Sequence, residues 1–223
     1  GAPALWGGSP AVFDLRYETT PMGAAETMMI DCAASEIGKY LGLPTQAYMG
    51  LSDAKLLDAQ AGLETSMGAT LAALAGINSV SGPGMLDFES CFSLEKLVLD
   101  NEICGLALRL VRGIEPRDDF PAVPHFEELL REKHLLIADH TRRYLKLEHY
   151  FPGASIDRAN HSRWQAEGSK TLGARAHEEV GRLLAGYRPS ALPDDAKAEL
   201  TRLMAREARR YGMDALPHER LAP

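Results

Sequence analysis

Asp87 and Glu89 flank Phe88 a few residues after a Gly82-Pro83-Gly84 turn, and Tyr48 and Asp53 lie at the end of an earlier extended stretch and in the loop after it. Trp6 precedes the first glycine-rich break, Gly7-Gly8-Ser9-Pro10. Aromatic faces and carboxylates together are what a quaternary or tertiary ammonium group prefers, because a cation over a ring gains about 0.5–2 kcal/mol. Each of these residues also has a plainer reading. Trp6 and Tyr48 can fill a core, and Asp87 and Glu89 can complement the dipole of the helix that follows them. Gly82 and Gly84 admit backbone conformations closed to other residues, and Pro83 stiffens the turn, so the loop can approach a ligand closely. An ordinary strand-to-helix turn has the same composition. His125 follows a proline-punctuated stretch at the expected start of a helix. It can cap that helix or reach into the same mouth.

Other chemistries find no support. The chain has no G-x-G-x-x-G at a strand-helix junction, no phosphate loop ending in Gly-Lys-Ser/Thr and no G-x-S-x-G elbow, which sets aside NAD, ATP and serine-hydrolase readings. His134, His140, His149, His161 and His177 fall on charged helical stretches without the i, i+4 His pair or cysteine clustering that zinc favours, so no metal site is expected. A net charge of −7 without a basic, aromatic-interleaved patch argues against nucleic acid. No apolar run nears the roughly 18 residues of a membrane span, and no signal peptide is visible. Cys32, Cys91 and Cys104 form no C-x-x-C pair; a cytoplasmic location is expected, and the pattern is also compatible with the periplasm. The chain opens at Gly1 without a methionine, which fits a fragment, a processed chain or a tag remnant.

The elements that would carry these residues follow a repeating order. Ala2 to Trp6 predicts a strand, then a loop to Thr19. Thr20 is a candidate cap with Pro21 at the first helical position, and Ala25, Met28, Met29, Cys32, Ala33, Ile37, Tyr40 and Leu41 recur at helical spacing up to Gly42. Thr45 to Met49 predicts a second strand, with Ser52 and Asp53 as candidate caps. A second helix follows, with Leu56, Leu57, Leu63, Met67, Leu71 and Leu74 on its apolar side and Gly76 as its stop. Ile77 to Ser81 predicts a third strand. The third helix, capped by Ser93 and stopped by Gly113, carries Leu94, Leu97, Val98, Asn101, Cys104, Leu108 and Val111 on one face. Three such units predict parallel strands joined by right-handed crossovers, with the ligand site at the strands' carboxyl ends. With 223 residues and 45% hydrophobic content the chain can bury a substantial core. Residues 1–114 are read as three β/α units and 115–223 as a helical extension. Its helices are expected near His125 to Lys133, Leu135 to Glu148, Trp164 to Tyr187 with a break near Gly168, and Asp194 to Tyr211, the last ten residues being frayed.

Taken as a set, Gly1-Ala2-Pro3, Thr20-Pro21-Met22-Gly23, Gly50-Leu51-Ser52-Asp53-Ala54-Lys55, Asp58-Ala59-Gln60-Ala61-Gly62, Ala73-Leu74-Ala75-Gly76-Ile77-Asn78 and Asp100-Asn101-Glu102-Ile103 resemble the trimethylamine methyltransferase family. The likeness continues through Pro124-His125, Asp157-Arg158, Trp164 and Gly168. It implies the carboxyl-terminal part of a TIM (β/α)8 barrel in a family about twice this length, and corrinoid-dependent methyl transfer. Founding members carry pyrrolysine, which this chain lacks; the likeness is therefore to the non-pyrrolysine branch, with quaternary amines such as glycine betaine as substrates. Of a family H-P-H-T stretch the sequence keeps Pro124-His125 and loses the flanking His and Thr. The resemblance implies no tightly bound cofactor, the corrinoid (cobalamin) coming from a partner protein, and leaves a homo-oligomer open. His125 and Glu89 are the expected catalytic groups; Trp6, Tyr48, Asp53, Gly82, Asp87 and Phe88 are the expected substrate-binding ones. The rival reading is a non-catalytic amine-binding or scaffold role.

Overall fold

The computed structural model describes residues 2–117, 120–189 and 192–216. Three short strands, β1 (Trp6–Gly8), β2 (Thr45–Ala47) and β3 (Ser79–Val80), form a parallel sheet in the order β1-β2-β3, with Trp6 opposite Thr45 and Gln46 opposite Ser79. Helices α1 (Ala25–Tyr40) and α2 (Ala59–Leu74) connect them, and α3 (Leu94–Arg112) follows the third strand. This is the α/β order expected from the sequence, with β1 shifted towards the glycines and β3 shorter than read. No closed barrel forms among the described residues.

Helix ends follow local chemistry. The Ser93 hydroxyl caps α3 by accepting from the Lys96 amide at 3.2 Å, as expected. Gly42, Gly76 and Gly113 follow the three helices with positive φ. The other expected caps are displaced. Asp58, not Ser52 or Asp53, caps α2 by accepting from the amides of Gln60 and Ala61. α1 starts at Ala25 without a side-chain cap, and Pro21 stays in the preceding loop, where its carbonyl accepts from the Thr27 hydroxyl at 2.7 Å. Between β3 and α3, where the sequence reads as plain loop, β4 (Met85–Leu86) and β5 (Cys91–Phe92) form a small antiparallel hairpin.

The helices turn a different face inward from the one their largest side chains predict. In α1 the buried residues are Thr27, Met28, Asp31, Ser35 and Gly38, while Met29 and Tyr40 are exposed. In α2 they are Ala61, Thr65, Gly68, Ala69 and Ala72, while Leu63 and Leu74 are exposed. In α3, Leu99, Ile103 and Ala107 are buried with Lys96, Asp100 and Glu102, and Leu108 is exposed. Small residues let the backbones approach: Met28, Ala47, Met49 and Ala72 form one core cluster, and Ala69, Leu99, Ile103 and Ala107 another between α2 and α3.

Beyond Gly113 the chain is helical, as expected: α4 (Val123–Glu132), α5 (Asp139–Glu148), α6 (His161–Ala166), α7 (Leu172–Ala185) and α8 (Asp194–Arg210). Glu148 at the end of α5 ties that helix to the end of α3 through Arg109 and to Arg117. The chain divides into two compact units, Gly1–Leu184 and Ala185–Pro223. The second consists mainly of α8, with Asp194 and Asp195 in its first turn and Arg209 and Arg210 in its last, matching the helix dipole. Most of the expected frayed tail lies outside the described residues. Among those described, no helix is long and apolar enough to cross a membrane.

Candidate functional site at the carboxyl ends of the strands

Strand alternation splits the first residues of the site between two faces. The Trp6 indole turns to α1 and donates to the Ala34 carbonyl at 2.8 Å. Ala47 and Met49 both enter the core, so Tyr48 between them shares the opposite face with Gln46. There the Gln46 amide donates to the Ser81 hydroxyl at 2.8 Å. Of the three expected aromatics, Tyr48 shares this polar face by alternation, whereas Trp6 packs between β1 and α1.

Asp53 is the hub of the loops. Its carboxylate, 7% exposed, accepts from the Met22 amide at 2.9 Å and from the Gly23 amide at 3.0 Å to each oxygen. Burial raises its pKa, and the Gly23 amide opposes that rise. Glu64 of α2 accepts from the Ser52 hydroxyl at 2.6 Å and from the Asp53 amide at 2.8 Å. The loop after β1 is thereby stitched to the loop after β2 and to α2. An open cleft of about 600 Å³ lies beside this stitch, lined by Phe13, Asp14, Pro21, Glu26, Asp53 and Glu64 among others.

The hairpin docks on the same loop, with the Ser52 amide donating to the Met85 carbonyl and the Asp87 amide to the Ala54 carbonyl. At its tip Asp87, Phe88 and Glu89 have φ of 49°, 54° and 76°, three successive non-glycine residues in the left-handed region. Such backbone costs energy and persists where surrounding contacts hold it. Lys55 is one of those contacts. Its ammonium lies 4.0 Å from the Phe88 ring centroid, 3.3 Å from an Asp87 oxygen and 2.7 Å from the Asp53 carbonyl. The ring and carboxylate expected to meet a methylated cation thus already face a cation of the chain itself.

Gly82 serves packing rather than ligand approach. A Cβ there would lie 2.3 Å from the Met49 carbonyl oxygen, and the Gly82 amide donates to that same oxygen. Glu89 turns inward: burial raises its pKa, and its Oε1 is buried without a hydrogen-bond partner. Asp31 of α1, 2% exposed and with Oδ2 likewise unpartnered, is raised to about 7 by burial first and by the charge of Glu89 second.

His125 stands elsewhere. Its ring centroid is 5.2 Å from that of His140, edge to face, and the two line a small pocket of about 150 Å³ with Leu135, Ala138 and Thr141. His140 in turn contacts the Arg117 carbonyl through Nε2 at 2.6 Å. The structure therefore gathers Asp53, Gly82, Asp87 and Phe88 on interlocked loops, turns Glu89 inward, and does not bring His125 to them. Asp31, Glu64 and Lys55 are the residues that sequence reasoning missed. For Asp31 a signal existed, a lone acid within the apolar run Met28-Met29-Ile30-Asp31-Cys32-Ala33-Ala34. Among the described residues, no group of three or more His, Cys, Asp or Glu is placed to hold a metal ion.

A family model described as trimethylamine methyltransferase matches residues 1–212. The chain belongs to the trimethylamine methyltransferase family. The trimethylamine methyltransferase MttB of Desulfitobacterium hafniense (strain DSM 10664 / DCB-2) is 31% identical over 213 residues, which are 96% of this chain and 42% of that protein. The glycine betaine methyltransferase of Desulfitobacterium hafniense (strain Y51) is 32% identical over 95% of this chain and 44% of its own length. The MttB of Methanosarcina barkeri is 34% identical over 87% and 39%. The chain spans about two fifths of the length of these relatives. Two of the motifs that carry the likeness, Thr20 to Gly23 and Gly50 to Lys55, meet at Asp53.

Proposed function

We propose that the protein to which this chain belongs moves a methyl group from a methylated amine, most favourably a quaternary one such as glycine betaine, to the Co(I) of a corrinoid held by a separate protein. The observation that carries this reading is the match over residues 1–212, with relatives named for trimethylamine and for glycine betaine methyl transfer. In the same reading the three β/α units are the carboxyl-terminal part of a TIM barrel, whose loops at the carboxyl ends of the strands form the site.

The chemistry asks little acid-base help of the protein. A quaternary nitrogen already carries its positive charge. When the methyl–nitrogen bond breaks, the electron pair stays with nitrogen and a neutral amine leaves, while the reduced cobalt supplies the pair for the new bond. As methyl acceptor, the corrinoid is the second substrate of the reaction. What remains for the chain is to hold the cation in line and keep water away. Tyr48, on the Gln46 and Ser81 face, supplies an aromatic surface there, and Asp87 and Phe88 form a cation-matched pair that Lys55 now satisfies.

The test is to mix the native-length polypeptide with the reduced corrinoid protein and each candidate amine, following loss of the Co(I) absorption. Glycine betaine should discharge the signal, and Tyr48→Ala should slow it by about tenfold, the factor matching a cation–π contact near 1.4 kcal/mol. Amine binding without any change at cobalt would favour the binding or scaffold role instead. His125→Ala should leave turnover unchanged, in keeping with its place beside His140.

A further inference from the structure

The first turn of α3 holds a lysine that solvent does not reach. Lys96 and Asp100, one turn apart, are both 0% exposed, and the Lys96 ammonium donates to Asp100 Oδ2 at 2.5 Å and to the Thr65 hydroxyl of α2 at 2.8 Å. The same Oδ2 accepts from the Gly84 amide at 2.6 Å, while Oδ1 is buried with no hydrogen-bond partner. An ion pair of this kind is a poor way to gain stability, because taking both charges out of water costs several kcal/mol and apolar side chains of like volume often do better. What the pair does supply is a charged acceptor aimed at one backbone amide.

That amide occupies a decisive place. Gly84 joins β3 to the hairpin. Its carbonyl accepts from the Ser93 amide at 3.0 Å, its φ is +92°, and a Cβ on it would lie 2.4 Å from the Phe92 ring. Both polar atoms and the open side of this residue are therefore fixed by α3 and β5. The hairpin that leaves it carries Asp87 and Phe88 to Lys55.

We propose that the buried Lys96–Asp100 pair is a positioning device: through the Gly84 amide it sets the hairpin, and with it Asp87 and Phe88, over the carboxyl ends of the strands. The placement of the hairpin stands on the contacts above; its effect on turnover rests on the methyl-transfer reading.

The test separates position from stability. In the double variant Lys96→Met with Asp100→Leu both charges leave together; the desolvation cost they no longer bear offsets the lost acceptor of the Gly84 amide, so the melting temperature should stay close to that of the unmodified protein. Amide exchange at Gly84 should nevertheless quicken by about tenfold to a hundredfold, the factor implied by losing a hydrogen bond to a charged group. Cobalt methylation should show a lower kcat with KM less affected. Should the double variant not fold, Asp100→Asn keeps the shape of the side chain and weakens the acceptor, and the Gly84 amide proton resonance should move upfield. Unchanged Gly84 exchange in a folded double variant, or an unmoved Gly84 resonance in Asp100→Asn, would overturn the proposal. If the unmodified protein methylates no corrinoid at all, the methyl-transfer reading fails while the exchange measurement still decides the role of the pair.

Discussion

Two kinds of charge network coexist in the first compact unit, and they differ in what they hold. Around the strand ends, Asp53, Lys96 and Asp100 are buried and bond to backbone or side chains of other elements. In the helical part, Arg163–Glu167, Lys170–Glu178 and Arg182–Glu179 join residues close in sequence, with every partner but the half-buried Glu179 well exposed. Exposed pairs are worth little because water screens them and two long side chains must be ordered. Buried acids that accept from loop amides fix geometry over long sequence distances, at a desolvation cost.

The contrast can be tested by breaking it. Asp31 should give the largest effect: its carboxyl is raised from 3.8 to about 7, by burial and then by Glu89. The folded state keeps a proton there that the unfolded state has already released. Stability should therefore fall as pH rises from about 4 to about 7 and level off above, by up to about 4 kcal/mol for a shift of that size. Asp31→Asn should remove that slope and raise the melting temperature at pH 8 while changing little at pH 4. A pH profile identical to that of the unmodified chain would show that the acid is not held as described.

Asp53→Ala comes next. It leaves the Met22 and Gly23 amides without their acceptor, and urea unfolding should register a loss of about 3 kcal/mol. Gly82→Ala places a methyl group against the Met49 carbonyl and Leu51, and an overpacking loss of about 1–3 kcal/mol is expected in the same assay. Arg182→Ala marks the other end of the scale: the arginine is exposed and its partner Glu179 is three residues away on the same helix, so the melting temperature should move little. A loss there as large as that of Asp53→Ala would erase the distinction between the two networks.

The pattern of the site was partly legible before the structure. The motif Ser52-Asp53-Ala54-Lys55 marks a loop that does gather other loops, and the turn at Gly82 to Gly84 does need its glycines. The reason for those glycines was not legible. They clear neighbouring backbone and the Phe92 ring, contacts made by residues distant in the chain or across a hairpin that no periodicity announced. The position of His125 at the start of a helix fits a cap as well as the mouth, and only the resemblance at Pro124-His125 points to the site; which partner the ring meets is decided by the fold, and there it is His140.

By itself the sequence determined the order of the first three strands and of the helices, the glycine stops, the Ser93 cap and the family, since each depends on residue type at short range or on motif spacing. The tertiary structure alone decided which helix faces are inside. Apolar periodicity picks out the largest side chains, but close packing of α1 and α2 selected small ones, leaving Met29, Tyr40 and Leu63 outward and Asp31 inward. It also decided where the buried charges point, because the partner of a carboxylate is set by which loop amide the fold brings within about 3 Å, and that distance is a property of the assembled layers.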